Sequence, residues 1–179
     1  MVDPVALGSC VGPGDDSAGD VTVADLYRVY YADLARLAVQ LVGDPDAAED
    51  VVQDVFVGLH QRQSLASLED PRRYLITAVV NRSRSVLRRR RVARAFRPSS
   101  ERTAESAEAP SLRAAERARV LAALDGLPRR QREVLVLRYY RDLSVHEIAA
   151  VLSIAPSAVS SSLSRGLKAL TATLDKEPR

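Results

Sequence analysis

The amino-acid sequence predicts an all-α protein in which a flexible linker joins two small helical domains. The composition is rich in Ala, Leu, Val and Arg and contains only 8 glycines among 179 residues, which favours helices. Apolar residues recur at spacings of three and four, and one polar segment with two prolines interrupts this pattern. We therefore expect a disordered tail at 1–21, a first domain at 22–97, a linker at 98–111, a second domain at 112–174 and a short tail at 175–179.

The first two predicted helices are joined by a tight turn. The first spans Val23–Val42, and Gly43 is placed to cap its C-terminus. The GDPD turn leads into the second helix, which we expect over about 46–61. The apolar residues of the two helices should form a core, with Leu26, Tyr30, Leu34, Leu37 and Leu41 from the first helix and Ala48, Val51, Val52, Val55, Phe56 and Leu59 from the second.

The side of the second helix opposite its core is acidic. Residues 44–54 contain five acids and no base. Acids in the first turn stabilise any helix through its dipole, but here the acidity continues past the first turn, and Val57 lies among the polar residues. We interpret this side as a docking surface for a basic partner and call it the acidic surface; it comprises Asp46, Glu49, Asp50, Gln53 and, on its flank, Asp54.

The third predicted helix begins at Pro71, after a loop at 63–70, and has a basic side. Its expected core residues are Leu75, Ile76, Val79, Val86 and Leu87. Residues 72–97 contain ten arginines and no acid, which favours contact with nucleic acid over simple solvation. We call the side opposite the core the basic surface; it comprises Thr77, Asn81, Arg84, Arg88 and Arg91.

The second domain is predicted to contain four helices, the last two forming a helix-turn-helix. Its first helix covers 112–124, and its second starts at Pro128, with Val134, Leu135 and Leu137 facing the core. In the helix-turn-helix at 143–170, Ser144 and Glu147 fit a capping box, and Pro156 fits the first position of the last helix.

The last predicted helix has one apolar side and one side rich in hydroxyl groups. Val159, Leu163, Leu167 and Leu170 are expected to face the core. The opposite side suits the major groove of DNA, where hydroxyl and cationic groups contact phosphates and base edges. We call it the hydroxyl-rich surface; it comprises Ser157, Ser160, Ser161, Ser164, Arg165 and Lys168.

Several other classes of protein do not fit the sequence. Cys10 is the only cysteine, so we expect no intrachain disulfide and a reducing, cytoplasmic compartment. No apolar run has the roughly 18 residues that a membrane-spanning helix requires. We find no clustered metal ligands, no phosphate-binding loop and no nucleophile motif. We therefore expect no bound metal, no cofactor and no enzymatic activity.

Three stretches together resemble the extracytoplasmic-function (ECF) family of bacterial RNA polymerase sigma factors, group IV of the sigma-70 superfamily. GDPDAAEDVVQDVF at 43–56 resembles conserved region 2.2, and VVNRSRSVLRRRR at 79–91 resembles the helix of regions 2.3 and 2.4. The stretch from LPRRQREVLVLRYY to SSSLSRGLKAL, at 127–170, resembles region 4. The resemblance covers about 22–172 and implies a region 2 domain followed by a region 4 domain.

The resemblance implies a partner for each surface. The acidic surface would bind the β′ clamp helices of RNA polymerase core, and region 4 would meet the β flap. The basic surface would contact the promoter −10 element, while Ser64, Leu65 and Ser67 in the preceding loop would capture a flipped base. The hydroxyl-rich surface would read the −35 element. An anti-sigma factor is left open as a further partner, and we expect a monomer when the protein is free.

Two alternatives stay open on the sequence alone. A helix-turn-helix regulator that binds an operator as a dimer would explain 128–170 but would leave the acidic and basic surfaces without a function. A structural adaptor that binds RNA through its basic helix would prefer generic RNA to promoter DNA. Tight operator binding by a free dimer would favour the first alternative, and RNA preference in the presence of core polymerase would favour the second.

Overall fold

A computed structural model describes residues 21–62, 68–96 and 112–175. Over these ranges the chain forms helices and no strand. The predicted linker, most of both tails and the loop residues Ser64, Leu65 and Ser67 lie outside the described residues. The helices are α1 (Val23–Val42), α2 (Pro45–His60), α3 (Pro71–Phe96), α4 (Leu112–Asp125), α5 (Arg129–Leu135), a π-helical segment (Val136–Tyr140), α6 (Val145–Leu152) and α7 (Pro156–Leu174).

The N-terminal domain consists of α1, α2 and α3, each packed against the other two. Gly43 ends α1 with a φ of 72°, a left-handed conformation that glycine adopts without strain. Asp44 then caps α2, because its carboxylate accepts the Ala47 N–H at 3.1 Å. The predicted core residues of α2 are all buried, whereas Val86 and Leu87 of α3 are only half-buried. Two tight caps therefore fix the direction in which the acidic helix leaves α1.

The C-terminal domain consists of α4 to α7. The capping box of α6 is present, since Ser144 accepts the Glu147 N–H at 3.2 Å and Glu147 accepts the Ser144 N–H at 2.7 Å. Ser153 ends α6 with a φ of 53°, and Pro156 begins α7, so the helix-turn-helix is confirmed. The π-helical segment after α5 was not predicted. In the described ranges no helix alone is long and apolar enough to cross a membrane; only α6 and α7 together would be, and they are bent by 104°.

The buried side of α7 differs from the predicted one. Leu167 is 45% exposed, so its predicted place in the core is wrong. The helix instead turns Val159, Ser162 and Gly166 inward, where the two small residues allow α5 to approach closely. A Cβ added to Gly166 would lie 3.1 Å from the Leu135 Cδ1 atom. Along an α-helix, each step of four residues rotates the side-chain direction by about 40° beyond a full turn. After two such steps from Val159, Leu167 no longer faces the interface.

The two domains contact each other directly. Buried apolar residues from both domains belong to one contiguous cluster, in which α1 contacts α4 and the π-helical segment, and α3 contacts α6. In this arrangement the C-terminal domain covers one flank of the N-terminal domain.

Candidate functional surfaces

The acidic surface forms one exposed side of α2. All five predicted residues are exposed, as is Val57 at 55%. Gln53 donates to the Glu49 carboxylate at 3.3 Å, and the Tyr31 hydroxyl donates to the same oxygen at 3.5 Å. The described part of the chain gives the side chains of Asp46 and Asp50 neither an ion pair nor a hydrogen bond. These two carboxylates are therefore the most available to a basic partner.

Arginines of α3 border the acidic surface on one flank. Arg82 Nε donates to Asp54 at 2.7 Å, and Arg90 Nη2 donates to Asp44 at 2.6 Å. Between them lies a groove of about 470 Å³ whose lining includes Asp50 and Arg89. The sequence did not predict these pairs, because they depend on how α2 packs against α3. A docking partner would meet carboxylates and guanidinium groups side by side along this groove.

Only part of the basic surface is both exposed and without an ion-pair partner among the described residues. Asn81, Arg88 and Arg91 are exposed, and the described residues offer Arg88 and Arg91 no ion-pair partner. Arg84 differs from the prediction, because it turns toward the C-terminal domain. Its Nε and Nη2 atoms donate to the Glu133 carboxylate at 2.7 and 2.8 Å. These bonds raise the pKa of Arg84, and they leave its side chain only 21% exposed.

The end of α3 that follows the predicted base-capturing loop carries an aromatic ring. The Arg62 guanidinium carbon lies 4.9 Å from the centroid of the Tyr74 ring, close enough for a cation–π interaction. A shallow groove of about 350 Å³ next to it is lined by Asp70, Arg73, Tyr74 and Thr77, among others. Thr77 donates its hydroxyl to the Arg73 carbonyl at 2.8 Å. This groove is the described surface nearest to the loop residues in sequence.

The hydroxyl-rich surface of α7 is exposed at all six predicted positions. The hydroxyl groups of Ser160 and Ser161 donate to the carbonyls of Pro156 and Ser157, at 3.2 and 2.9 Å. Arg165 Nε donates to the Ser161 carbonyl at 3.2 Å. Since these serine hydrogens are used within the helix, the oxygens present lone pairs outward. The surface therefore combines hydrogen-bond acceptors with the cations Arg165 and Lys168.

A set of polar contacts between the domains was missed by the sequence reading. Besides the Arg84–Glu133 pair, Arg132 Nη1 donates to the Leu41 carbonyl at 3.0 Å, and Arg141 Nη1 lies 3.4 Å from Asp33 Oδ2. Glu133 is 3% exposed, although its type and its basic neighbours suggest a surface residue. The available signal was that Glu133 is the single acid between Asp125 and Asp142 in an arginine-rich stretch.

Family models match both domains. The model described as Sigma-70 region 2 matches residues 26–93, and that described as Sigma-70, region 4 matches residues 117–170. The ECF RNA polymerase sigma factor SigL of Mycobacterium tuberculosis is 33% identical over 159 residues, which cover 84% of this chain and 88% of SigL. The chain belongs to the ECF family of RNA polymerase sigma factors. As a sigma factor, it binds RNA polymerase core and directs promoter-specific initiation of transcription.

Further sequence and structure comparisons with this ECF sigma factor also match sigma factors. The RNA polymerase sigma-E factor of Streptomyces avermitilis is 30% identical over 143 residues, covering 79% of each chain. CnrH, solved in complex with the cytosolic domain of CnrY, is 29% identical with a TM-score of 0.65, and the match covers 87% of this chain and 89% of CnrH. RpoE of Bartonella quintana, solved with the anti-sigma factor NepR, shares the fold with a TM-score of 0.68 at 22% identity, covering 86% of this chain and 99% of RpoE.

Proposed function

We propose that the acidic surface of α2 is where this sigma factor docks on the β′ clamp helices of core polymerase. The support is that five predicted residues lie exposed on one side of a helix whose N-terminus is capped by Asp44. Asp46 and Asp50 would contribute most, because neither is already paired among the described residues. Asp54 would act together with Arg82, as a carboxylate held in place by its neighbour.

We further propose that the basic surface binds the −10 element. Arg88 and Arg91 lie exposed on α3 and suit phosphate contacts, and Asn81 suits a base edge. Ser64, Leu65 and Ser67 would hold a flipped base next to the groove that contains Tyr74. Binding to separated strands would offset the few kcal/mol of unstacking that flipping requires.

The hydroxyl-rich surface of α7 is proposed to read the −35 element in the major groove. The second helix of a helix-turn-helix is the one that enters this groove, and all six residues on that side of α7 are exposed. Region 4 would also contact the β flap. We keep the predicted domain limits, 22–97 and 112–174 with 98–111 as the linker, as part of this proposal.

We also infer the location, the lack of enzymatic activity and the oligomeric state of the protein. We infer that the protein works in the cytoplasm, where core polymerase is found, and that it has no enzymatic activity of its own. We infer that it is a monomer when free. We infer an anti-sigma factor as a further partner, since RpoE of Bartonella quintana was solved with one.

The docking assignment is tested by charge reversal with a matched control. Asp50→Lys should weaken binding to purified core polymerase by about tenfold or more, because a carboxylate that meets a basic partner becomes a repelling cation. Glu116→Lys makes the same change on α4, at an exposed position outside the acidic surface, and should leave core binding unchanged. Equal affinities for both variants, or equal losses, would remove the acidic surface as the docking site.

A further inference from the structure

One arginine of the basic surface is held by the other domain. Arg84 lies on the basic surface, yet its Nε and Nη2 atoms donate to the Glu133 carboxylate of α5 in a bidentate pair, and its Nη1 atom donates to Asn81 Oδ1 at 3.2 Å. A guanidinium in this geometry is equally suited to a DNA phosphate, which also accepts two parallel hydrogen bonds. Glu133 and a phosphate at this position are therefore competitors for one group.

The two carboxylates at the interface, Glu133 and Asp33, have second partners within their own domains. When Arg84 leaves, Glu133 still has Arg129 and Arg130 at 3.4 and 3.5 Å. When Arg141 leaves, Asp33 still has Arg36, which contributes most to holding the pKa of Asp33 below its ordinary value. Opening the interface therefore leaves neither carboxylate unpaired, which is what a reversible contact requires.

Arg132 also keeps a hydrogen-bond partner within its own domain when the interface opens. In the closed arrangement its Nη1 atom donates to the Leu41 carbonyl of α1, while its Nη2 atom donates to the Asp125 carbonyl of its own domain at 2.5 Å. Separation of the domains removes only the first of these bonds. The interface is thus held by polar contacts that can be exchanged, in addition to the apolar cluster.

The distance between the two promoter elements requires the domains to separate. By their labels, the −35 and −10 elements are centred about 25 base pairs apart, which is about 85 Å of duplex at about 3.4 Å per base pair. A compact chain of this length has a radius of gyration of about 16 Å, too small to reach both elements at once. The closed arrangement and simultaneous binding of both elements therefore exclude each other.

We propose that the Arg84–Glu133 pair is an intramolecular latch that holds this sigma factor closed, and that DNA phosphates open it by competing with Glu133 for Arg84. The proposal rests on the assignment of α3 to the −10 element. It makes promoter engagement and domain opening one coupled equilibrium, in which DNA binds the open form and the latch favours the closed form.

The latch is tested first by single-molecule energy transfer on the free protein. Dyes are attached at Val57→Cys and Tyr139→Cys, exposed positions in the two domains, after Cys10→Ser removes the native thiol. Glu133→Gln should raise the ratio of open to closed molecules by about fivefold or more, a coupling of ordinary size. Glu116→Gln, at an exposed acid on α4, should leave the ratio unchanged.

A second variant guards against a simple folding defect. Asp33→Asn weakens the interface from the N-terminal side and leaves every residue of the C-terminal domain intact, so it should also shift the ratio toward open molecules. Circular dichroism checks that both variants keep their helices. If Glu133→Gln does not change the energy transfer, whether or not Asp33→Asn does, the latch is refuted.

The competition with DNA is tested with single-stranded DNA of mixed sequence, about 16 nucleotides long. Glu133→Gln should bind it about fivefold more tightly than the unmodified chain, because less of the binding energy is spent on opening. Arg84→Ala should also open the protein but should bind more weakly than Glu133→Gln does, because the phosphate contact is lost. Equal affinities of Glu133→Gln and the unmodified chain would overturn the competition. The energy-transfer measurement contains no DNA, so it tests the latch separately from the assignment of α3 to the −10 element.

Discussion

The same substitution at two helical glycines should have opposite effects on stability. Gly58 in α2 and Gly166 in α7 both lie inside helices, where replacing Gly by Ala gains up to about 1 kcal/mol of helix propensity. A Cβ at Gly58 would meet nothing within 4 Å. We therefore expect Gly58→Ala to raise the free energy of unfolding by about 0.5–1 kcal/mol.

At Gly166 the added methyl group would meet two neighbours. It would lie 3.1 Å from both Gln131 Cβ and Leu135 Cδ1, and Leu135 is itself 2% exposed and cannot move aside freely. Overpacking of this kind costs about 1–3 kcal/mol, which offsets or exceeds the gain in propensity. Because the propensity gain is nearly common to both sites, the difference between the two variants measures how tightly α5 packs against α7.

Urea denaturation of the unmodified protein and both variants gives this difference. We expect the two unfolding free energies to differ by about 1–3 kcal/mol, or by several degrees in Tm, with similar m values. Gly166→Ala should also weaken promoter binding, since α5 supports the helix that carries the hydroxyl-rich surface. If Gly166→Ala stabilises the protein as much as Gly58→Ala does, the close α5–α7 contact is refuted.

Three further substitutions test other parts of the protein. Ser144→Ala removes the cap of α6 and should lower the free energy of unfolding by about 1 kcal/mol in urea; no change would mean that the cap contributes nothing. The Ala47 N–H and Arg90 hold the pKa of Asp44 below its ordinary 3.8, so its stabilisation is present above that pH and is lost as the pH falls through the lowered pKa. Asp44→Asn can still cap the helix, so its free energy of unfolding should fall less on acidification than that of the unmodified chain. Equal losses in the two proteins would contradict this. Arg165→Ala should weaken promoter binding by the holoenzyme by about 1–3 kcal/mol with core binding unchanged; an equal loss on mixed-sequence duplex would indicate a phosphate contact only.

Local patterns in the sequence were sufficient to predict most of the helices. The bounds of α1, the capping box at Ser144 and the exposed acids of α2 follow from spacing and caps that involve neighbouring residues only. The errors concern contacts between elements. Leu167 was placed in the core because a helical wheel shows which residues share a side but not which partner helix sets the centre of the buried side. The isolated position of Glu133 among arginines was a signal of pairing, but its burial depends on Arg84, 49 positions away, which local spacing does not identify.

The pairing of charges within the protein bears on how binding energy is distributed over the proposed surfaces. Asp54 and Arg84 already have partners, so contact with polymerase or DNA exchanges one ion pair for another and yields little net free energy. Asp50 and Arg88 have no such partners among the described residues, so each would contribute a new pair when it binds, and Arg88 would also release counterions from DNA. Affinity and its salt dependence should therefore follow the unpaired residues. Under the proposed latch, Arg84 instead determines which conformation is able to bind, so we expect substitution of Arg84 to change the ratio of open to closed molecules and substitution of Arg88 to change affinity.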